Sequence, residues 1–205
     1  MQPNVRTGFE KAHRSWFGFV QGKTRIYLAW AILILIPFLS PAAPEKIWWP
    51  GLVIMGLGVF FRSWASGYIL KDNTLAKDGP YAICRNPLYL GTFLMGLGCA
   101  FLMKSPLFGI LSTVLFGMIY WDTIRFEEEK LVEKFGESYL RFRNETPRFF
   151  PSPRSILRSF RKTEKSQAFT WKRLFENRGH EPLLSALGLI ALVVLTDSFP
   201  WKLMR

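Results

Sequence analysis

Pro106-Leu-Phe-Gly-Ile-Leu-Ser-Thr-Val-Leu-Phe-Gly-Met-Ile-Tyr-Trp-Asp-Thr-Ile124 decides the class of fold. No charged side chain interrupts it before Asp122, and Tyr120 and Trp121 near its end form an aromatic pair suited to a membrane–water interface. A helix crosses the hydrocarbon core with about 20 apolar residues. Four other blocks approach that length: Ile26 to Leu39, Ile47 to about Leu70 (opened by Trp48 and Trp49), Leu88 to Met103, and Leu183 to Phe199. One short block alone also suits the core helix of a water-soluble protein. Five of them in 205 residues point to a chain for which lipid is the solvent. We therefore expect an all-α fold, a polytopic transmembrane helix bundle of about five spans.

The charges between the blocks test that expectation. The chain carries 27 Lys and Arg against 15 Asp and Glu, a net charge of +12. In a water-soluble protein such an excess suggests nucleic acid. Here the basic residues flank apolar blocks, and no RNA-recognition, zinc-finger or helix-turn-helix pattern accompanies them. The expected partners are membrane lipids, with no nucleic acid. Twenty-two Lys and Arg fall before the first block, after the second and after the fourth, whereas the alternate segments hold four. The positive-inside rule places the richer side, and with it the N-terminus, in the cytoplasm and the C-terminus outside. Arg62, inside the second block, is expected near the cytoplasmic end, where a long side chain snorkels. The first 25 residues are polar and hold no signal-peptide core, which with the short chain suits a prokaryotic inner membrane. Cys84 and Cys99 form no CxxC, and His13 and His180 stand apart, so neither a disulfide framework nor a metal site is expected.

Glycine recurs in the central blocks: Gly51, Gly56 and Gly58, then Gly91, Gly96 and Gly98, then Gly109 and Gly117. Small residues let helix backbones approach closely in lipid, where no hydrophobic force drives association. Gly56-Leu-Gly58 and Gly96-Leu-Gly98 lack the third glycine of a dinucleotide fingerprint and lie inside apolar blocks, so they read as packing sites.

The polar segments on the cytoplasmic side carry the chemistry. Lys71 to Gly91 combines turn formers with Tyr81, Arg85, Asn86 and Tyr89. Pro87 suits the first turn of a helix with Asn86 as its N-cap. Such a helix start offers free N–H groups and partial positive charge to a carboxylate or a hydroxyl-rich ligand. A plain capped helix with an interfacial arginine fits the same residues. Further on, Leu131, Phe135, Tyr139 and Phe142 make one apolar helical face opposite Lys134, Glu137 and Arg141, which reads as a cytoplasmic amphipathic helix at the membrane surface. Glu127, Glu128 and Glu129 sit where the preceding span leaves the bilayer and need partners or water; a solvated acidic turn is the simplest account. Thr146-Pro-Arg-Phe-Phe-Pro151 then forms a rigid aromatic run. The basic stretch from Arg154 to Glu181 is expected to meet anionic headgroups, with Phe160, Phe169, Trp171, Leu174 and Phe175 at the interface.

In order along the chain stand Gly79-Pro80-Tyr81, Arg85-Asn86-Pro87-x-Tyr89-x-Gly91, Glu127-Glu128-x-x-Leu131-x-x-x-Phe135-Gly136-x-x-Tyr139, and Pro147-Arg148-x-x-Pro151. Together they resemble the isoprenylcysteine carboxyl methyltransferase family, related to the membrane phospholipid N-methyltransferases. The resemblance runs from about Ile47 to Pro153, about half the chain. The family commonly has histidine where this chain has Asn86, which can hydrogen-bond but cannot titrate. The resemblance implies methyl transfer from S-adenosylmethionine to a lipophilic acceptor, in a cytoplasmic pocket with no metal. The implied cofactor site comprises Tyr81, Arg85, Asn86, Pro87, Tyr89, Glu127, Glu128 and Tyr139. Glu127 and Glu128 would hold its ammonium or ribose hydroxyls, Arg85 its carboxylate, and Tyr81 and Tyr89 its adenine or, by cation–π attraction, its sulfonium. Glu128, Arg125 and Arg148 are the implied catalytic set. A carboxylate acceptor, as in an isoprenylcysteine, needs only an arginine to orient it, whereas an amine acceptor such as phosphatidylethanolamine needs a glutamate as base. A non-enzymatic membrane scaffold or transporter subunit is the alternative outside catalysis. The implied organisation is a cytoplasmic segment 1–25, a methyltransferase core 26–153, a basic cytoplasmic segment 154–181 and an added span in 182–205.

Overall fold

The computed structural model describes residues 49–70, 74–104, 106–160 and 168–198, all within one compact unit, Pro41–Arg205. The expected first span, Ile26 to Leu39, lies outside the described residues, as do both termini. Every regular element among the described residues is a helix: α1 (Trp49–Ser66), α2 (Pro80–Ile83), α3 (Pro87–Leu102), α4 (Pro106–Phe135), α5 (Glu137–Glu145), α6 (Pro153–Ser159), α7 (Trp171–Glu176) and α8 (Glu181–Ser198). Proline opens α2, α3, α4 and α6, the position where its missing N–H costs nothing. A capping box closes the start of α6, with Ser152 and Ser155 each accepting the other's backbone N–H at 3.1 and 3.0 Å.

Helix α4 alone among the described residues is long and apolar enough to cross a membrane; α3 and residues 181–194 of α8 are shorter apolar helices. Its 30 residues span about 45 Å, more than the roughly 30 Å hydrocarbon core. The apolar part leaves Leu107, Ile110, Val114 and Met118 more than half exposed, a surface that water alone does not suit.

The largest interface is the antiparallel packing of α1 on α3, and four glycines make it possible. A Cβ on Gly58 would stand 2.7 Å from the Gly91 carbonyl oxygen, and one on Gly91 2.7 Å from that of Gly58. Gly51 and Gly98 oppose each other in the same way, at 2.9 and 2.8 Å. Gly56, Gly96 and Gly117 meet nothing within 4 Å and Gly109 has only an ordinary contact with Ala100 at 3.5 Å, so the close packing expected for every glycine holds for the four seam residues among these. At the Arg62 end of the seam this side chain turns onto the neighbouring helix. Its guanidinium donates to the Thr92 hydroxyl, which in turn donates to the Leu88 carbonyl at 3.0 Å, so a polar chain ties α1 to the first turns of α3.

The expected surface helix is also different. α4 continues unbroken through Arg125 to Phe135, Gly136 stops it with φ +51°, and α5 starts afresh at Glu137. A residue with a Cβ is disfavoured at that backbone angle, so glycine sets the break. The break turns Leu131, Phe135, Tyr139 and Phe142 toward a shared cavity wall.

Candidate active site

The site forms where the 79–89 segment meets the extended end of α4 and the 146–150 run. Gly79, at φ +58°, lets the chain turn beneath the Tyr68 ring into the single turn of α2. The backbone then extends through Cys84, and the Arg85 N–H donates to the Pro147 carbonyl at 2.9 Å, locking the loop to the 146–150 run. Asn86 occupies the N-cap position of α3, but its side chain makes no cap bond. This corrects the expected capping role. Its Nδ2 donates to the Arg148 carbonyl at 3.0 Å and to Glu128 Oε1 at 3.3 Å. A charged acceptor strengthens the bond from Nδ2, and with the amide turned that way Oδ1 makes no cap bond to the helix N–H groups.

Glu128 is the centre of this arrangement and is only 4% exposed. Its Oε2 accepts from Arg148 Nε and an Arg148 terminal nitrogen at 3.2 and 3.0 Å. Its Oε1 faces Arg85 Nε at 3.2 Å. That contact lies off the hydrogen-bond line, so the buried Arg85 Nε–H has no hydrogen bond among the described residues. Arg85 is further fixed by donation to the Arg143 carbonyl at 3.1 Å. Arg148 lies over the Trp121 ring, 5.3 Å from its centroid. One carboxylate thus holds two guanidiniums, and the cluster keeps one unbalanced positive charge. Buried charge is costly without a partner, so the cluster favours an incoming anion.

Two cavities flank the cluster, and Arg85 lines both. The first, of about 330 Å³, is walled by Ile69, Leu70, Leu88, Leu131 and Phe135 and edged by Tyr81, Arg85, Asn86, Tyr89, Glu127 and Tyr139. The second, of about 480 Å³, is aromatic: Phe93, Phe116, Tyr120, Trp121, Phe149 and Phe150, closed by Arg85 and Arg148. Both fall in the range of about 300–1,000 Å³ usual for small-molecule sites. Tyr89 and Tyr120 touch between them, ring centroids 5.2 Å apart. Tyr89 donates its hydroxyl to Glu127 Oε1 at 2.7 Å, which fixes that carboxylate on the first cavity's edge.

Of the residues expected at a cofactor site, Tyr81, Arg85, Asn86, Pro87, Tyr89, Glu127 and Tyr139 line the first cavity. Glu128 stands behind it, with both oxygens committed to the arginines and Asn86. The acidic run is therefore neither one feature nor a turn: all three residues lie within α4, Glu128 a buried clamp, Glu127 an edge carboxylate and Glu129 exposed. Arg148 closes the second cavity, whereas Arg125 is exposed and lines neither. Phe93, Phe116, Phe149 and Phe150 were not among the expected residues; the aromatic run after Arg148 was their one visible trace. Burial keeps the phenols neutral. Tyr139 is pushed up to about 12, by burial first and by the Glu128 charge second. Tyr81 is raised further by burial, and the Cys84 thiol is pushed up to about 12 by the same cause. Arg85 is lowered, burial outweighing the support of Glu128.

The lining of the first cavity fits an amino-acid nucleoside sulfonium: a guanidinium for a carboxylate, a fixed carboxylate for ammonium or hydroxyls, and tyrosine faces for a ring or a sulfonium. A family comparison agrees. Residues 47–138 match the phospholipid methyltransferase family model. The chain is similar to two kinds of protein. It is 38% identical over 85 residues to the protein-S-isoprenylcysteine O-methyltransferase of Schizosaccharomyces pombe, covering 40% of this chain and 34% of that one. The human enzyme of the same name is 30% identical over 79 residues, 38% of this chain and 28% of that protein. The cobalt-zinc-cadmium resistance protein CzcN of Cupriavidus metallidurans is 34% identical over 103 residues, 49% of this chain and 47% of that protein. The chain thus spans less than half the length of these relatives. No solved structure matches.

Proposed function

We propose that the chain is an integral membrane methyltransferase of about five spans that uses S-adenosylmethionine and methylates the carboxylate of a lipophilic, isoprenylcysteine-like acceptor on the cytoplasmic side. The observation that carries this reading is the place of Arg85, shared by a polar cavity and an aromatic one and tied through Glu128 to Arg148. The first cavity takes the cofactor, which when bound supplies an electrophilic methyl group. Arg85 meets its carboxylate and Glu127 its ammonium or ribose hydroxyls. The second cavity takes an apolar chain against Phe93, Phe116 and Phe149, and Arg148 holds the acceptor carboxylate at the inner end. That carboxylate is ionised at neutral pH and needs no base, so the chain's contribution is alignment and exclusion of water. The unbalanced positive charge of the cluster favours a carboxylate over an ammonium. The names of the relatives support the same acceptor.

Amine methylation of phosphatidylethanolamine is the second reading. The name of the matched family model favours it, and a glutamate would then act as the base. Methyl-labelled S-adenosylmethionine and a short S-prenylated cysteine, added to detergent-purified protein, separate the two. The expected product is a base-labile methyl ester. Label in mono-, di- and trimethylated ethanolamine lipids instead would install the second reading. Absence of cofactor binding at high micromolar concentration would remove both and leave a scaffold.

A further inference from the structure

The chain beyond residue 160 lies outside the matched domain, yet part of it is built into the wall of the first cavity. The C-terminal end of α1 has spare carbonyls, as every helix end does. They are taken by the turn between α7 and α8. Asn177 Nδ2 donates to the Ser66 carbonyl at 2.9 Å and to the Ile69 carbonyl at 3.0 Å, using both of its amide hydrogens. The Thr170 N–H donates to the Gly67 carbonyl at 3.3 Å, and Ser63 Oγ donates to the Gly179 carbonyl at 2.6 Å. The surfaces are closely fitted: a Cβ on Gly67 would stand 2.2 Å from the Phe169 ring, and one on Gly179 2.9 Å from Ser66 Cβ. Ile69 and the adjoining Leu70 are wall residues of the 330 Å³ cavity.

We infer that Asn177 is a positioning residue for that cavity, a strut that holds the 66–70 backbone so that Ile69 and Leu70 face the ligand at a fixed depth. The inference rests on the assignment of this cavity to the cofactor. An asparagine suits this role because one rigid amide reaches two carbonyls three residues apart in sequence, and no other neutral side chain of that length presents two N–H groups. Aspartate has the same shape and no N–H, so Asn177→Asp sets a carboxylate against two carbonyl oxygens and releases the strut. Ser63→Ala loosens the same docking surface without touching residues 66–70.

The test compares wild type, N177D and S63A as full chains in detergent. Calorimetry gives the S-adenosylmethionine Kd, thermal unfolding gives Tm, and hydrogen exchange follows the amides of residues 67–76 without ligand. N177D is expected to weaken cofactor binding roughly tenfold, a misplacement effect, and to speed exchange in 67–76. S63A is expected to lower Tm while leaving Kd within about twofold of wild type, the sign of docking lost without wall movement. If wild type binds and N177D binds equally well, or if Kd follows Tm alike in both variants, the positioning role is overturned. Unchanged exchange in N177D overturns the strut itself. If wild type binds no cofactor but N177D speeds exchange, the assignment of the cavity fails and the strut stands.

Discussion

The glycine seam and the Glu128 cluster both fix α3, the one to α1 and the other to α4, by opposite means. The seam between α1 and α3 works by removing side chains, so that backbone lies on backbone, and it carries no charge. The cluster fills its space with charge, two guanidiniums and an amide around one buried carboxylate. The seam is indifferent to chemistry and intolerant of volume. The cluster tolerates little change in chemistry, because loss of the one carboxylate strands two guanidiniums. The difference teaches where function was placed: the seam sets the angle of α3, and the cluster uses that angle to hold Arg85 between two cavities.

The largest effect should come from breaking the cluster. Glu128→Gln keeps the shape and removes the counter-charge. Stability should fall by about 3 kcal/mol, the lower end for a broken buried pair because Arg148 keeps some contact with water, while turnover falls about 100-fold through misplaced arginines. Thermal unfolding and initial rates on the same preparation check both. Breaking the seam should act on stability first. Gly91→Ala drives a methyl group against the Gly58 carbonyl and the Arg62 backbone and should cost about 1–3 kcal/mol. Gly96→Ala, with open space around it, should be neutral or stabilise by about 0.5–1 kcal/mol. The contrast between the two in one melting experiment tests whether the seam is assigned to the right face. The arginines sharpen the cluster further. Arg148→Ala should raise the acceptor KM about tenfold, and Arg125→Ala should change it much less.

The smallest effect is alkaline. Tyr139 and Cys84 are each pushed up to about 12 from ordinary values of 10 and 9. A group whose folded pKa is raised contributes stability that is complete below its unfolded pKa and lost as pH rises through the folded one. Tm should therefore hold steady to about pH 9 and fall between 9 and 12, and Tyr139→Phe should flatten part of that fall.

How much of this was legible follows from geometry. The helices were written in the apolar blocks, and so was the abundance of small residues. Which glycines pair was also present in the spacing: Gly51 and Gly58, like Gly91 and Gly98, are seven residues apart and share a face over two turns. Gly56 and Gly96 lie two residues off that register and point away. Of the candidate site, the residue set was legible but not the division of labour. Successive residues on a helix are turned about 100° apart, so Glu127, Glu128 and Glu129 cannot share a role, yet nothing in their order says which one faces inward. That depends on how α4 packs against the 79–89 segment, a contact across some 40 residues of chain. The continuous α4 was hidden for another reason: the polar turn after Ile124 resembled an end, whereas the helix stops at Gly136. Asn177 had no signal at all, because a lone asparagine in a basic loop looks the same whether it binds water or two carbonyls.

The central claim is that Arg85 serves both cavities at once. Titration of wild type and Arg85→Lys with S-adenosylmethionine, and separately with an S-prenylated cysteine, measures it directly. A lysine keeps the charge but loses the fork that spans Glu128 and a ligand. Both affinities should weaken in the variant, each by about tenfold. Loss of one affinity with the other intact, or neither changed, would contradict that claim.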